Sequence, residues 1–156
     1  MNISYYPINL NIKGRKCIVV GGGSVAERKV KTLLKFGGAV TVVSPGITAA
    51  LKELASEKKI RHIKKVYDSN SLDGALLAIA ATDERQVNSK VSKDCFKKGI
   101  LVNVVDSPKE CAFIAPAIVK KGLVTIAIST GGRSPVLSKA VRQAIEKNWK
   151  NMITQI

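Results

Sequence analysis

Aromatic residues make up only 4% of the 156 positions, histidine occurs once, and the three cysteines contain no C-x-x-C pair. So few rings leave little on which unpaired bases could stack, so nucleic acid is not an expected partner. Cys17, Cys95 and Cys111 are an odd number with no metal-ligand spacing, and two of them lie in or beside apolar runs. They read as buried free thiols. The single histidine, His62, stands in a basic stretch and reads as a surface residue, so no metal site is expected. Long apolar runs are missing too: none approaches the ~20 residues of a membrane span. The opening "MNISYYPINL" lacks the basic and leucine-rich regions of a signal peptide, which predicts a cytoplasmic protein with no membrane partner. Acidic residues are the last shortage, 11 against 26 Lys and Arg, for a net charge of +15. That field draws anions toward the surface. The basic residues are scattered along the chain, however, and a solvated face that keeps the protein dissolved accounts for them equally well.

What is present is a regular alternation. The length suits one main domain with a small appendage. "KCIVV" (16–20), "AVTVV" (39–43), a more exposed run from Ile60 to Val66, "ALLAIAA" (75–81) and "ILVNVV" (100–105) are strand-length and apolar. Between them, Ala26, Val30, Leu33 and Leu34 form a helical stripe stopped by Gly37 and Gly38, 47–57 reads as a helix, and 84–98 as another ended by Gly99. Strands and helices alternating at this spacing predict an open α/β parallel sheet with right-handed crossovers and helices on both faces. After Asp106 the pattern changes. "AFIAPAIV" and "LVTIAIS", joined by "KKG" (120–122), predict a β-hairpin. Ser134 and Pro135 then open a terminal helix whose stripe of Leu137, Val141, Ile145, Trp149, Met152, Ile153 and Ile156 needs a partner.

Gly21-Gly22-Gly23-Ser24-Val25-Ala26 fits G-x-G-x-x-A directly between a strand and a helix, the context in which that pattern binds a dinucleotide. Gly21 permits the turn, Gly23 admits a diphosphate to the backbone, and Ala26 lets the helix close on the sheet. The amides of Ser24, Val25 and Ala26 would hold the phosphates with the helix dipole behind them. The acidic residue usual about 20 positions further on is here Ser44, in "VVSPG", so Ser44, Pro45 and Gly46 face the ribose without a charge to exclude a 2′-phosphate. Thr82, Asp83, Asn103 and Asp106 close the other strands and should line the same crevice, at the carboxyl edge of the sheet.

In order, "YYPINLNIKGRKCIVVGGGSVAERKVKTLL", "VTVVSP", "AATDE", "NVVDSP" and "FIAPAIVKKGLVTIAISTGGRSPVLSKAVRQAIE" resemble the precorrin-2 dehydrogenase and sirohydrochlorin ferrochelatase family, the amino-terminal module of siroheme synthase. The likeness spans about residues 5–147. It implies an NAD-binding Rossmann domain over 1–111 and a dimerisation and substrate-side region, hairpin plus helix, over 112–156. It implies a homodimer that oxidises precorrin-2 to sirohydrochlorin with NAD, and in some members inserts ferrous iron. In such enzymes the aspartate of the "NVVD" block is tied to activity; here it is Asp106, which also suits a plain turn cap before Pro108. The glycine loop Ser129–Pro135 resembles a substrate-side loop and reads equally well as a simple connection. Longer members continue with a further helical segment where this chain stops at Ile156. A different reading of the same residues is a regulatory module that senses NAD and performs no chemistry.

Overall fold

The computed structural model describes residues 5–153. They form two compact units, one of Ile8–Phe113 and one that runs from Ile114 onward and takes in the segment ending at Pro7.

In the first unit, β1 (Lys16–Val20), β2 (Ala39–Val43), β3 (Arg61–Ile63), β4 (Leu77–Ala80) and β5 (Leu101–Val104) are all parallel, in the order β3-β2-β1-β4-β5. The helices are α1 (Ser24–Lys35), α2 (Ala49–Ser56) and α3 (Arg85–Lys98). Alternation along each strand feeds two cores. Cys17 and Val19 meet Ala26, Val30 and Leu33 of α1 and Leu51 of α2 on one face. On the other, Ile18 and Val20 meet Val91 and Cys95 of α3. Both faces are apolar because both are covered, which is why the strands read as unbroken hydrophobic runs. Chain direction across the sheet reverses between β1 and β4, so the crevice above their carboxyl ends is the switch point where such sheets bind ligands.

The helix ends follow the glycines. Gly37, at φ +76°, donates to the Leu34 carbonyl and Gly38 to that of Leu33, closing α1. Gly99, at φ +66°, ends α3, and Ile100 donates back to the Cys95 carbonyl.

Some boundaries differ from the sequence reading. β3 covers three residues rather than 60–66, because only Thr41–Val43 of β2 offers partners and Lys65 turns to pair with Asp68 at 2.5 Å. Beyond β5, the amides of Ala112 and Phe113 both donate to the Val102 carbonyl, at 2.8 and 3.3 Å, and cover the outer edge of the sheet.

In the second unit, β6 (Ala117–Lys121) and β7 (Val124–Ile128) pair antiparallel, and α4 (Pro135–Ile153) packs on them. The strand starts at Ala117 and not in "AFIA", since Pro116 has no N–H to give a ladder. The turn is Gly122–Leu123 rather than 120–122: Gly122 takes φ +55° and both lysines stay in β6, with Lys121 opposite Val124. Ser134 caps α4, its Oγ accepting from the Leu137 amide at 3.2 Å. Along the predicted stripe, Leu137 and Val141 are exposed and Ile145 and Trp149 partly covered; the side chains of Met152 and Ile153, and Ile156, lie outside the described residues. Among the described residues no helix is long and apolar enough to cross a membrane.

Candidate active site

Each of the three glycines between β1 and α1 has its own reason. Gly21 sits at φ +118°, and a Cβ there would run into the Ala81 carbonyl; its amide donates to the Val43 carbonyl at 3.0 Å. Gly22 is pressed against the next turn, where a Cβ would overlap the Gly46 carbonyl oxygen. Gly23 has nothing within 4 Å of where a Cβ would stand. It precedes α1 as its N-cap, so the first-turn amides of Ser24, Val25 and Ala26 receive no side-chain cap. Ala26 is fully buried beneath them. Two glycines are thus spent on packing and the third on open space beside uncapped N–H groups, a cradle that fits the diphosphate of a dinucleotide.

The turn after β2 is tied to that cradle. Thr48 donates its amide to the Gly22 carbonyl at 3.0 Å and its hydroxyl to Glu27 Oε2 at 2.7 Å, while its Oγ1 accepts from the Leu51 amide to cap α2. Lys31, 2.6 Å from Oε1, and then Thr48 hold the Glu27 carboxyl below its ordinary range. Ser44 spends its hydroxyl proton on the Gly46 carbonyl at 2.7 Å, so toward a ribose it presents lone pairs. His62, half-buried, donates Nε2 to the Ser44 carbonyl at 2.9 Å and fixes the turn from below. Pro45 and Gly46 are exposed at its tip.

On the other side of β1, the ends of β4 and β5 converge through one amide. Asn88, fully buried in the first turn of α3, accepts from Thr82 N at 3.1 Å and Thr82 Oγ1 at 2.8 Å. It donates to the Thr82 carbonyl at 3.0 Å and to Asp106 Oδ2 at 3.2 Å. The Asp106 side chain is 37% exposed at the mouth of the sheet. Arg85 stands near it, Nη1 3.9 Å from Oδ1, but its Nη2 is engaged by Glu110 Oε1 at 2.6 Å. Arg85 holds the Glu110 carboxyl below the usual range, against the burial that pushes it up; Glu110 Oε2 is buried without a hydrogen-bond partner. Asp83 is exposed on the same loop as Thr82.

The sequence-predicted residues therefore meet in a row: Gly46 on Gly22, Gly21 on Ala81, and Thr82 through Asn88 to Asp106. Asn103 lies apart, beneath the surface at 5% exposure. Its Nδ2 donates to the Phe113 carbonyl at 3.1 Å and lies 3.6 Å from Cys111 Sγ, while its Oδ1 has no partner. Asn88, Arg85 and Glu110 escaped the sequence reading. Asn88 alone left a signal, a polar residue on the helix face that Val91 and Cys95 bury.

The sequence model of the family described as "Putative NAD(P)-binding" matches residues 8–117, and that described as "Sirohaem biosynthesis protein central" matches 122–148. Siroheme synthase of Methylobacillus flagellatus is 46% identical over 140 residues, 90% of this chain and 30% of the relative. That of Photobacterium profundum is 40% identical over 144 residues, 92% of this chain and 31% of the relative. The chain thus spans about a third of the length of these curated relatives. Among solved structures, SirC, a precorrin-2 dehydrogenase, superposes with a TM-score of 0.81 at 33% identity, over 92% of this chain and 71% of SirC. With 33% identity over 71% of SirC and the two family models side by side along the sequence, the chain belongs to the precorrin-2 dehydrogenase family of siroheme biosynthesis.

Proposed function

We propose that the chain oxidises precorrin-2 to sirohydrochlorin with NAD, and that Asp106 accepts the proton. The observation that carries the reading is the Asp106 carboxylate itself. It stands exposed at the mouth of the sheet, with one oxygen fixed by an amide and the other making no hydrogen bond, 3.9 Å from Arg85 Nη1, in the same row of contacts as the diphosphate cradle. NAD, when bound, accepts a hydride. The residues around it have modest tasks: the amides of Ser24, Val25 and Ala26 hold the diphosphate, and Ser44 receives a ribose hydroxyl. The Thr82–Asp83 loop borders the nicotinamide end. As the macrocycle loses two hydrogens, one leaves with its electron pair as hydride and the other passes as a proton to Asp106 and on to solvent. NADH, sirohydrochlorin and a proton account for every atom. A net charge of +15 favours capture of a polycarboxylate tetrapyrrole. The exposed Leu137 and Val141 of α4 support pairing of two copies in a homodimer.

The test is anaerobic turnover of precorrin-2 by the purified chain, following NADH and sirohydrochlorin together, with and without ferrous iron. Equal amounts of both products are expected, and Asp106→Asn should lower kcat by roughly 100-fold with NAD affinity kept. Binding of NAD with neither product formed would make the chain a sensing module instead. Siroheme appearing only with iron would add the chelatase step.

A further inference from the structure

We propose that Asn88 is the positioning residue for Asp106, locking the carboxylate to the end of β4 so that one oxygen stays free for the substrate proton. This rests on Asp106 as the proton acceptor.

Asn88 is completely buried and all four of its hydrogen-bonding valences are filled. Its orientation is fixed by its partners. The Thr82 amide can only donate, whereas the Thr82 carbonyl and a carboxylate can only accept, so Oδ1 must face the first and Nδ2 the others. Three of the four bonds go to Thr82 and would suffice to hold the turn after β4. The fourth reaches 18 residues along the chain to a carboxylate that water could otherwise solvate, since Asp106 is not buried.

The fourth bond matters because of Arg85. The guanidinium lies 3.9 Å from Asp106 Oδ1, beyond a hydrogen bond, and is turned toward Glu110 at 2.6 Å. With Oδ2 held by Asn88 and Arg85 held by Glu110, Oδ1 keeps an unshared lone pair. Without Asn88 the carboxylate is free to rotate onto Arg85 in a close ion pair, which would weaken it as a base and turn it away from the crevice. An aspartate at 88 would oppose two carboxylates at hydrogen-bond distance, and alanine would leave the part-buried Thr82 amide without its side-chain acceptor.

A double-mutant cycle in kcat for precorrin-2 separates positioning from scaffolding. Asn88→Ala should lower kcat by roughly 10- to 100-fold while the NAD dissociation constant moves less than about threefold. In the Asp106→Asn background the same change should cost less than about twofold, because the group it orients is gone. Equal losses in the two backgrounds, or full kcat in Asn88→Ala, would overturn the proposal. If Asn88→Ala does not melt cooperatively, Asn88→Ser, which is uncharged, keeps a hydroxyl beside Thr82 and lacks the Nδ2 that reaches Asp106, is put through the same cycle: a loss confined to the Asp106 background supports positioning, and equal losses overturn it. The two readings fail separately. Full turnover by Asp106→Asn removes the proton acceptor itself, whereas a slowed Asp106→Asn with an uncoupled Asn88 removes only the positioning role.

Discussion

The carbonyl oxygen of Gly46 occupies the space a Cβ on Gly22 would need, whereas a Cβ on Gly23 would meet nothing. The two neighbours therefore answer differently to the same methyl group. Gly22→Ala must push the turn after β2 away from the cradle and should cost roughly 1–3 kcal/mol, the range for overpacking a fitted site. Gly23 already has extended backbone angles that alanine adopts freely. Gly23→Ala should melt like the parent and yet bind NAD at least about tenfold more weakly, since its methyl stands where a diphosphate would meet the backbone. Thermal melts and calorimetric NAD titrations on both variants check this. Unchanged NAD affinity in Gly23→Ala would mean that no diphosphate approaches there.

Glu110 links the acid side of the stability profile to the active site. Its folded pKa lies below the ordinary carboxylate value, chiefly because of Arg85. A depressed carboxylate stabilises the fold above its unfolded pKa, and that contribution disappears as pH falls through the folded value. Glu110→Gln should therefore be less stable than the parent near neutral pH, with the gap closing below about pH 4. Urea midpoints for the two proteins across that range give the answer, and a gap that stays constant would show that the Arg85 pair contributes nothing.

Two of the three thiols should be quiet in the native protein. Burial pushes Cys95 up to about 12 and raises Cys17, and neither has any exposed surface. Cys111, half-buried, is raised by burial too; its sulfur accepts from the Val104 amide and lies 3.3 Å from both the Val104 and Ser107 carbonyls. Iodoacetamide followed by mass spectrometry should find Cys17 and Cys95 unmodified until the chain unfolds, and Cys111 labelled before either. Rapid native labelling of Cys95 would contradict the packing of α3 on the sheet.

Local signals were legible and distant ones were not. The β1–glycines–α1 block could be read from one continuous stretch, because strand, turn and helix each leave their mark within a few positions. Gly22 was different: its need for glycine comes from the carbonyl of Gly46, in a separate turn, which no spacing rule reveals. Ser44 was placed correctly at the end of β2, but its hydroxyl turns to Gly46. Asn103, expected to line the crevice, holds the returning Cys111–Phe113 segment instead. Asn88 was hidden because a buried polar side chain declares its purpose only through its partners, and one of those lies 18 residues further on. The hairpin turn moved by a residue or two, since its place depends on the pairing register and not on composition.

The segment that folds back over β5 has a consequence for how the protein behaves at high concentration. A bare sheet edge invites another molecule to add a strand, and repetition of that event is how aggregates grow. Here the outer side of β5 is occupied by the backbone of Ala112 and Phe113, a plug made from the chain itself. The opposite margin offers only Arg61–Ile63, too short to template a neighbour and flanked by Lys64 and Lys65. The parallel sheet is thus finished at five strands, one margin sealed and the other blunted, and copies of it can be crowded without joining edge to edge.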